Sequence, residues 1–255
     1  MQQLMDWANF YYELGFNITH IVPSKNDPSK YIYKAPTNNR QLITYRRQAL
    51  NEMQSYDWEN ATGIGMILGR NNIRALDVDH LSKLKKDSTQ TLSNLKPIID
   101  EFLVDAKLPV NYPWVVQTPS KGYHIIIKTQ DLPFKTAISL LSPYGEKKTK
   151  AFKLNNKNQK KYPSFGHFDL RWDLHLTLPP SISKENKKYI FINGTPKSEP
   201  SEVKLEKVLS FIEKYCLDED LIKNIKGYNL FLDDYHSQHP YTDFSTIHKK
   251  QIINK

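Results

Sequence analysis

Apolar positions recur along this chain with two different periods, and each change of period marks an element boundary. Leu4, Trp7, Tyr11 and Leu14 fall at helical spacing and Gly15 follows where a C-terminal cap belongs, so the pattern predicts an opening helix over Leu4 to Leu14. Asn17 to Pro23 carries Ile18, Ile21 and Val22 and reads as a short strand. A polar, lysine-bearing loop is expected from Ser24 to Pro36, and Asn39 can cap a second helix ending near Met53. Gly63 to Leu68 and Ile73 to Val78 are apolar runs on either side of Gly69-Arg70-Asn71-Asn72, the pattern of a first hairpin. A helix is predicted over Ser88 to Ala106, kinked or broken at Pro97.

Trp114 to Thr118 and Tyr123 to Lys128 form a second hairpin candidate around Pro119-Ser120-Lys121-Gly122. Strands return at Phe168 to Leu178, followed by Pro179-Pro180-Ser181, and at Tyr189 to Asn193. Ser201 is placed as the N-cap of an amphipathic helix that carries Val203, Val208, Ile212 and Tyr215 on one side. Hairpins interspersed with helices predict an α+β fold, and no internal repeat suggests a solenoid.

With 255 residues, 39% of them apolar and 25% charged, the chain has the composition of a folded protein with room for one large domain or two intimate ones. The 36 Lys and Arg exceed the 27 Asp and Glu to give a formal charge of +9, which attracts polyanions, either nucleic acid or anionic membrane. No stretch approaches the roughly 18 apolar residues that span a bilayer, and Met1 to Leu14 lacks a signal-peptide core, so a cytoplasmic location is expected. Lys147, Lys148 and Lys150 open a basic stretch, Gly145 to Tyr162, expected to be a mobile loop that either contacts phosphates or is merely solvated. Cys216, the single cysteine, can form neither an internal disulfide nor a cysteine-built zinc site.

Three segments carry candidate chemistry. In Leu76-Asp77-Val78-Asp79 the i and i+2 side chains of a strand share a face, so both carboxylates point outward together while Leu76 and Val78 enter the core. Two like charges that close repel unless a cation joins them, and oxygen ligands on a rigid strand suit Mg²⁺ or Mn²⁺. A strand that simply ends in aspartates, or a sugar-nucleotide transferase, would show the same pair. In Thr118-Pro119-Ser120-Lys121-Gly122-Tyr123-His124 a small-residue turn delivers His124 at the start of a strand. There Gly122 leaves room for a phosphate and Lys121 adds charge, although a strand histidine can equally be structural. In Phe168-Asp169-Leu170-Arg171-Trp172 alternation aims Asp169 and Arg171 at one face, as a site or as an ordinary salt-bridged strand.

An acidic pair on a strand, a small residue two before a histidine, and a single acidic residue on a later strand follow one another in this order. The combination Asp77 and Asp79, Gly122 and His124, then Asp169, resembles the three-part signature of the archaeo-eukaryotic primase superfamily. Further stretches look like its primase-polymerase (prim-pol) branch, found in plasmids, phages and mobile elements. They are Gly15-Phe16 leading to Val22-Pro23, Lys34-Ala35-Pro36, Thr62-Gly63-Ile64-Gly65 leading to Leu68-Gly69, and Leu178-Pro179-Pro180-Ser181. The resemblance covers roughly residues 3 to 195. One departure is Trp172-Asp173-Leu174-His175, where relatives usually show a glycine-rich stretch.

The resemblance implies a two-lobed α+β core with a sheet like the RNA-recognition-motif fold, an N-terminal α/β unit beside it, and the active site in the cleft between them. It places a catalytic domain over 1–200 and a C-terminal helical extension over 201–255, packed on the core or leading to a further module. By that resemblance Asp77, Asp79 and Asp169 would hold one or two Mg²⁺ or Mn²⁺ ions and no zinc, and Lys121, Gly122, His124 and Arg171 would bind the incoming triphosphate. The implied activity is DNA primase and DNA-directed polymerase, by nucleotidyl transfer on a single-stranded DNA template with a primer strand and NTP or dNTP. A helicase, CRISPR-associated proteins or replication proteins are candidate partners, and a membrane is not. The alternatives are a catalytically silent nucleic-acid-binding module and a metal-dependent phosphodiesterase.

Overall fold

A computed structural model describes residues 2–23, 31–34, 46–80, 95–129, 165–171, 175–183 and 185–215. At 31–34, 79–80, 165–170 and 212–215 it describes the backbone alone. Helix α1 (Gln2–Glu13) leads into strand β1 (Asn17–Pro23), and Gly15 between them takes φ +95°. That left-handed residue lets the Gly15 N–H reach Tyr12 O (2.9 Å) and the Phe16 N–H reach Tyr11 O (3.1 Å), closing the helix as a Schellman turn. Arg47 then donates to the Tyr12 and Phe16 carbonyls and lies over the Tyr12 ring, 3.7 Å from its centroid. Arg70 donates to Gly15 O at 2.8 Å. The negative end of the helix therefore meets two guanidiniums.

Two antiparallel sheets follow. Strand β1 pairs with β2 (Tyr31–Lys34) and β3 (Gly63–Ile67), and β3 with β8 (His175–Leu178), giving the order β2-β1-β3-β8. The second sheet has the order β7-β4-β6-β5-β9, built from β4 (Ile73–His80), β5 (Val115–Gln117), β6 (Tyr123–Lys128), β7 (Phe165–Arg171) and β9 (Ile190–Phe191). This α+β arrangement of antiparallel sheets has the expected fold class, and the hairpin of β5 with β6 lies where the sequence places it. Buried residues of both sheets and of the helices join in one core, where the Phe16 and Trp114 rings meet edge-on at 5.1 Å. Among the described residues no helix is long and apolar enough to cross a membrane.

Several expectations need correction. Strands β3 and β4 are not a hairpin; they belong to different sheets. All of β3 and residues 73–78 of β4 are buried, and a strand covered on both faces needs neighbours on both edges. The turn between them takes positive φ at Gly69 (110°), Asn71 (53°) and Asn72 (58°), which redirects the chain from one sheet to the other. Likewise 168–178 is two strands, β7 and β8, again in separate sheets. Strand β2 occupies part of the expected loop. The second helix, α2 (Leu50–Gln54), is short, and 46–49 precedes it without helical structure.

Pro97 lies in the first turn of helix α3 (Lys96–Asp105), where its fixed φ and missing N–H cost nothing, and 88–94 of the predicted helix lie outside the described residues. Ser201 is no N-cap. Its carbonyl accepts from Lys128 N–H (2.9 Å) and Val203 N–H donates to Lys128 O (2.7 Å), so 201–203 extends along the end of β6 before helix α4 (Leu205–Tyr215) begins. Leu205, Val208 and Phe211 form the buried stripe of α4, and Phe211 meets Phe102 of α3 edge-on at 5.0 Å. Asn39, Cys216 and the lysine stretch at 145–162 lie outside the described residues.

The Pro-Pro-Ser segment ties β8 to β3. Tyr11 donates its hydroxyl to Pro179 O (2.7 Å), and burial pushes that phenol upward from its usual pKa, so it stays a neutral donor. Ser181 Oγ accepts the Ile64 N–H at 2.8 Å, and a Cβ added at Gly63 would lie 2.5 Å from that oxygen. Gly63→Ala is expected to destabilise the protein by about 2 kcal/mol through this overlap. Urea unfolding of Gly63→Ala, Ser181→Gly and the double variant checks it, the alanine costing less where Ser181 has become glycine.

Candidate active site

The acidic motif folds into the interior of the five-stranded sheet, because β4 is flanked by β7 on one side and β6 on the other. Asp77 lies directly across from Asp169 on β7 and directly across from His124 on β6. Residues opposite one another in antiparallel strands share a face with Cβ atoms about 5 Å apart, so the three form one row across three strands. Asp79 is two residues further along β4 on the same face, opposite His167. The register shifts between Asp79 and His80, where Gly166 becomes the extra residue of a bulge in β7.

Asp77 does not point outward into water, as its strand pattern suggested; it is only 3% exposed. Arg171, opposite Ala75 and so diagonal to Asp77, donates from Nε (2.8 Å) and Nη2 (2.5 Å) to a single carboxylate oxygen, Oδ2. Oδ1 is left with no hydrogen-bond donor among the described residues, though it is buried. His124, 6% exposed, brings Nε2 to 3.4 Å from Oδ1 without the alignment of a hydrogen bond. A buried carboxylate oxygen with no donor is uncommon and marks a position where a cation can bind. Among the described side chains no three of His, Cys, Asp and Glu gather as a metal set, and Asp79 and Asp169 are placed by their backbone register.

The turn before His124 is closed by backbone and side-chain hydrogen bonds. The left-handed residue is Lys121 (φ 68°), which is exposed, rather than Gly122. Gly122 is buried and its N–H already donates to Thr118 Oγ1 at 3.1 Å, while its carbonyl accepts from Thr118 N–H at 2.9 Å. The glycine therefore closes the turn that carries Lys121 and aims His124. Lys147, Lys148 and Lys150 fall outside the described residues.

The sequence pattern missed two neighbours of the row. His167 shares its face, and the alternation of Phe165, His167, Asp169 and Arg171 could have revealed it. Tyr189 brings its ring within 6.0 Å of the His124 ring, a contact no local pattern announces because it joins β6 to the segment before β9.

The Prim-Pol family, described as bifunctional DNA primase/polymerase, N-terminal, matches residues 8–204, a span that takes in both sheets and the whole of this row. The chain belongs to that family of DNA primase and polymerase domains. No curated protein matches it closely enough to count as a relative.

Removing Arg171 leaves a buried carboxylate without its counter-charge. Arg171→Ala is expected to cost about 3 kcal/mol in urea unfolding with a chelator present, the low end of the range for a broken buried pair because the Arg171 side chain keeps 22% of its surface in water. Asp77→Asn in the same background should recover most of the loss, since an amide needs no counter-charge.

Proposed function

We propose that this chain is a divalent-metal-dependent nucleotidyltransferase that synthesises and extends primers on single-stranded DNA from nucleoside triphosphates. The single observation that supports this most is the row Asp169, Asp77, His124 across three adjacent strands, with Asp79 and Arg171 on the same face. Membership of the Prim-Pol family gives the general chemistry. The finer roles rest on the arrangement of side chains.

Asp77, Asp79 and Asp169 fit Mg²⁺ or Mn²⁺, because hard oxygen ligands on adjoining strands and an unbonded buried Oδ1 suit a hard divalent ion better than a softer one. Such ions, when bound, would stabilise the negative charge that develops on the attacking 3′-hydroxyl and the departing pyrophosphate. Asp77 is held for this task by Arg171, which takes Oδ2 and leaves Oδ1 available. Arg171 stays charged at any working pH, so it adds positive field for the phosphates even while it orients the acid. His124 donates to the triphosphate from the other side of Asp77, and Lys121 supplies a second charge from the exposed turn that Gly122 closes. The template and primer strands are the polyanions that a net charge of +9 attracts.

Incubating labelled primer-template with triphosphates and Mn²⁺ tests this reading. Wild-type protein should extend the primer, Asp169→Asn should extend it about a thousandfold more slowly, and single-stranded DNA affinity should stay within about twofold. Degradation of the template would point to a phosphodiesterase instead, and binding without any chemistry to a nucleic-acid-binding module. Extension by Asp169→Asn at the wild-type rate would sink the assignment of this acid.

A further inference from the structure

Beyond His124, on the side away from Asp77, the functional face continues to Tyr189. Val116 pairs with His124 on one edge and with Phe191 on the other, so Phe191 shares their face, and strand alternation puts Tyr189, two residues earlier, on it as well. The side chains agree with that placement, since the Tyr189 and His124 rings lie 6.0 Å apart at an interplanar angle of 35°. The Tyr189 N–H donates to Ser181 O at 3.0 Å, which fixes the backbone by tying it to the Pro-Pro-Ser turn. Its side chain is half-buried, and its chain neighbours Lys187, Lys188 and Ile190 are exposed. The Trp114 and Phe191 rings meet edge-on at 5.9 Å. Tyr189 packs at the rim of the same core and is only partly covered by it.

We propose that Tyr189 is the nucleoside contact of this site, its ring receiving the base of the incoming triphosphate whose phosphates lie against His124. The inference rests on the nucleotidyl-transfer reading and adds to it a residue that the acid and histidine signature does not contain. Geometry supports the assignment. Adjacent strands are about 4.8 Å apart, and Tyr189 stands three strand spacings from Asp77 and two from His124. The side chains lean together across those spacings, as the 6.0 Å between the Tyr189 and His124 rings shows, so a triphosphate held at His124 can present its base to Tyr189. A half-exposed aromatic ring stacks on any base because every base has a π-face, and this gives affinity without sequence preference.

The test separates base from phosphate. ATP and inorganic tripolyphosphate are each titrated into the full chain by calorimetry with Ca²⁺ present and no DNA. Tyr189→Ala is expected to weaken ATP on the order of tenfold and to leave tripolyphosphate unchanged. Tyr189→Leu, which keeps apolar packing against His124, should show the same selective loss, and Tyr189→Phe should bind both ligands as the wild type does. His124→Ala should weaken both. Equal losses for ATP and tripolyphosphate in Tyr189→Ala and Tyr189→Leu would mean that Tyr189 acts only by positioning His124, and would overturn the proposal. So would unchanged ATP affinity in both variants. Wild-type protein that binds neither ligand overturns the nucleotidyl-transfer reading, and this inference with it.

Discussion

A carboxylate buried in the middle of a sheet is the constraint around which the rest of this molecule is arranged. Taking Asp77 out of water costs several kcal/mol unless charge and hydrogen bonds are returned to it. Arg171 of β7 returns both to Oδ2, while His124 of β6 stands 3.4 Å from Oδ1. Both partners are set by register. A slip of one residue in β7 would turn Arg171 and Asp169 toward the apolar face and bring Phe168 or Leu170 against the charge. Electrostatics and hydrophobic burial therefore select the same pairing, and a sheet specified twice in this way has few competing registers.

That agreement explains what could be read from the chain alone. Asp77, Asp79, Asp169 and Arg171 were legible as face-sharing positions because a strand has a side-chain period of two and the acids alternate with Leu76, Val78, Phe168 and Leu170. The hairpin of β5 and β6 was legible because its turn is local. What failed was everything that depends on which strand pairs with which. Ile73 to Val78 looks the same in a hairpin with β3 as in a separate sheet, and only the pairing of β3 with β1 and β8 and of β4 with β6 and β7 distinguishes them. Ser201 has the composition of an N-cap, yet its backbone serves the end of β6, a contact across more than seventy residues that outweighs a local preference.

Among the described residues, the short stretches that resemble the family outside its acid and histidine signature include glycines at the points where the two sheets and the first helix are closed against one another. Gly15 ends α1, Gly63 lies against Ser181, and Gly69 turns the chain out of one sheet into the other. Arg47 and Arg70 bind carbonyls at the same helix end, and Phe16 from that end meets Trp114 beside β5. These contacts bear on the site at second hand. The Pro-Pro-Ser turn that Tyr11 and Ile64 hold in place also fixes Tyr189, and Tyr189 touches His124.

The same arrangement accounts for how acids can be gathered before any cation arrives. Three carboxylates on neighbouring positions of one face repel each other, and a fold that depended on a bound ion to assemble them would be unstable without it. Here a guanidinium from within the sheet already balances Asp77, and it does so through one oxygen only. The sheet can then form with its charge compensated, while Oδ1 keeps an unmet demand for positive charge on the side that faces His124. Splitting the two oxygens of a single aspartate in this way reconciles stability with readiness to bind, because the interaction that holds the residue in place is not the one a ligand must displace.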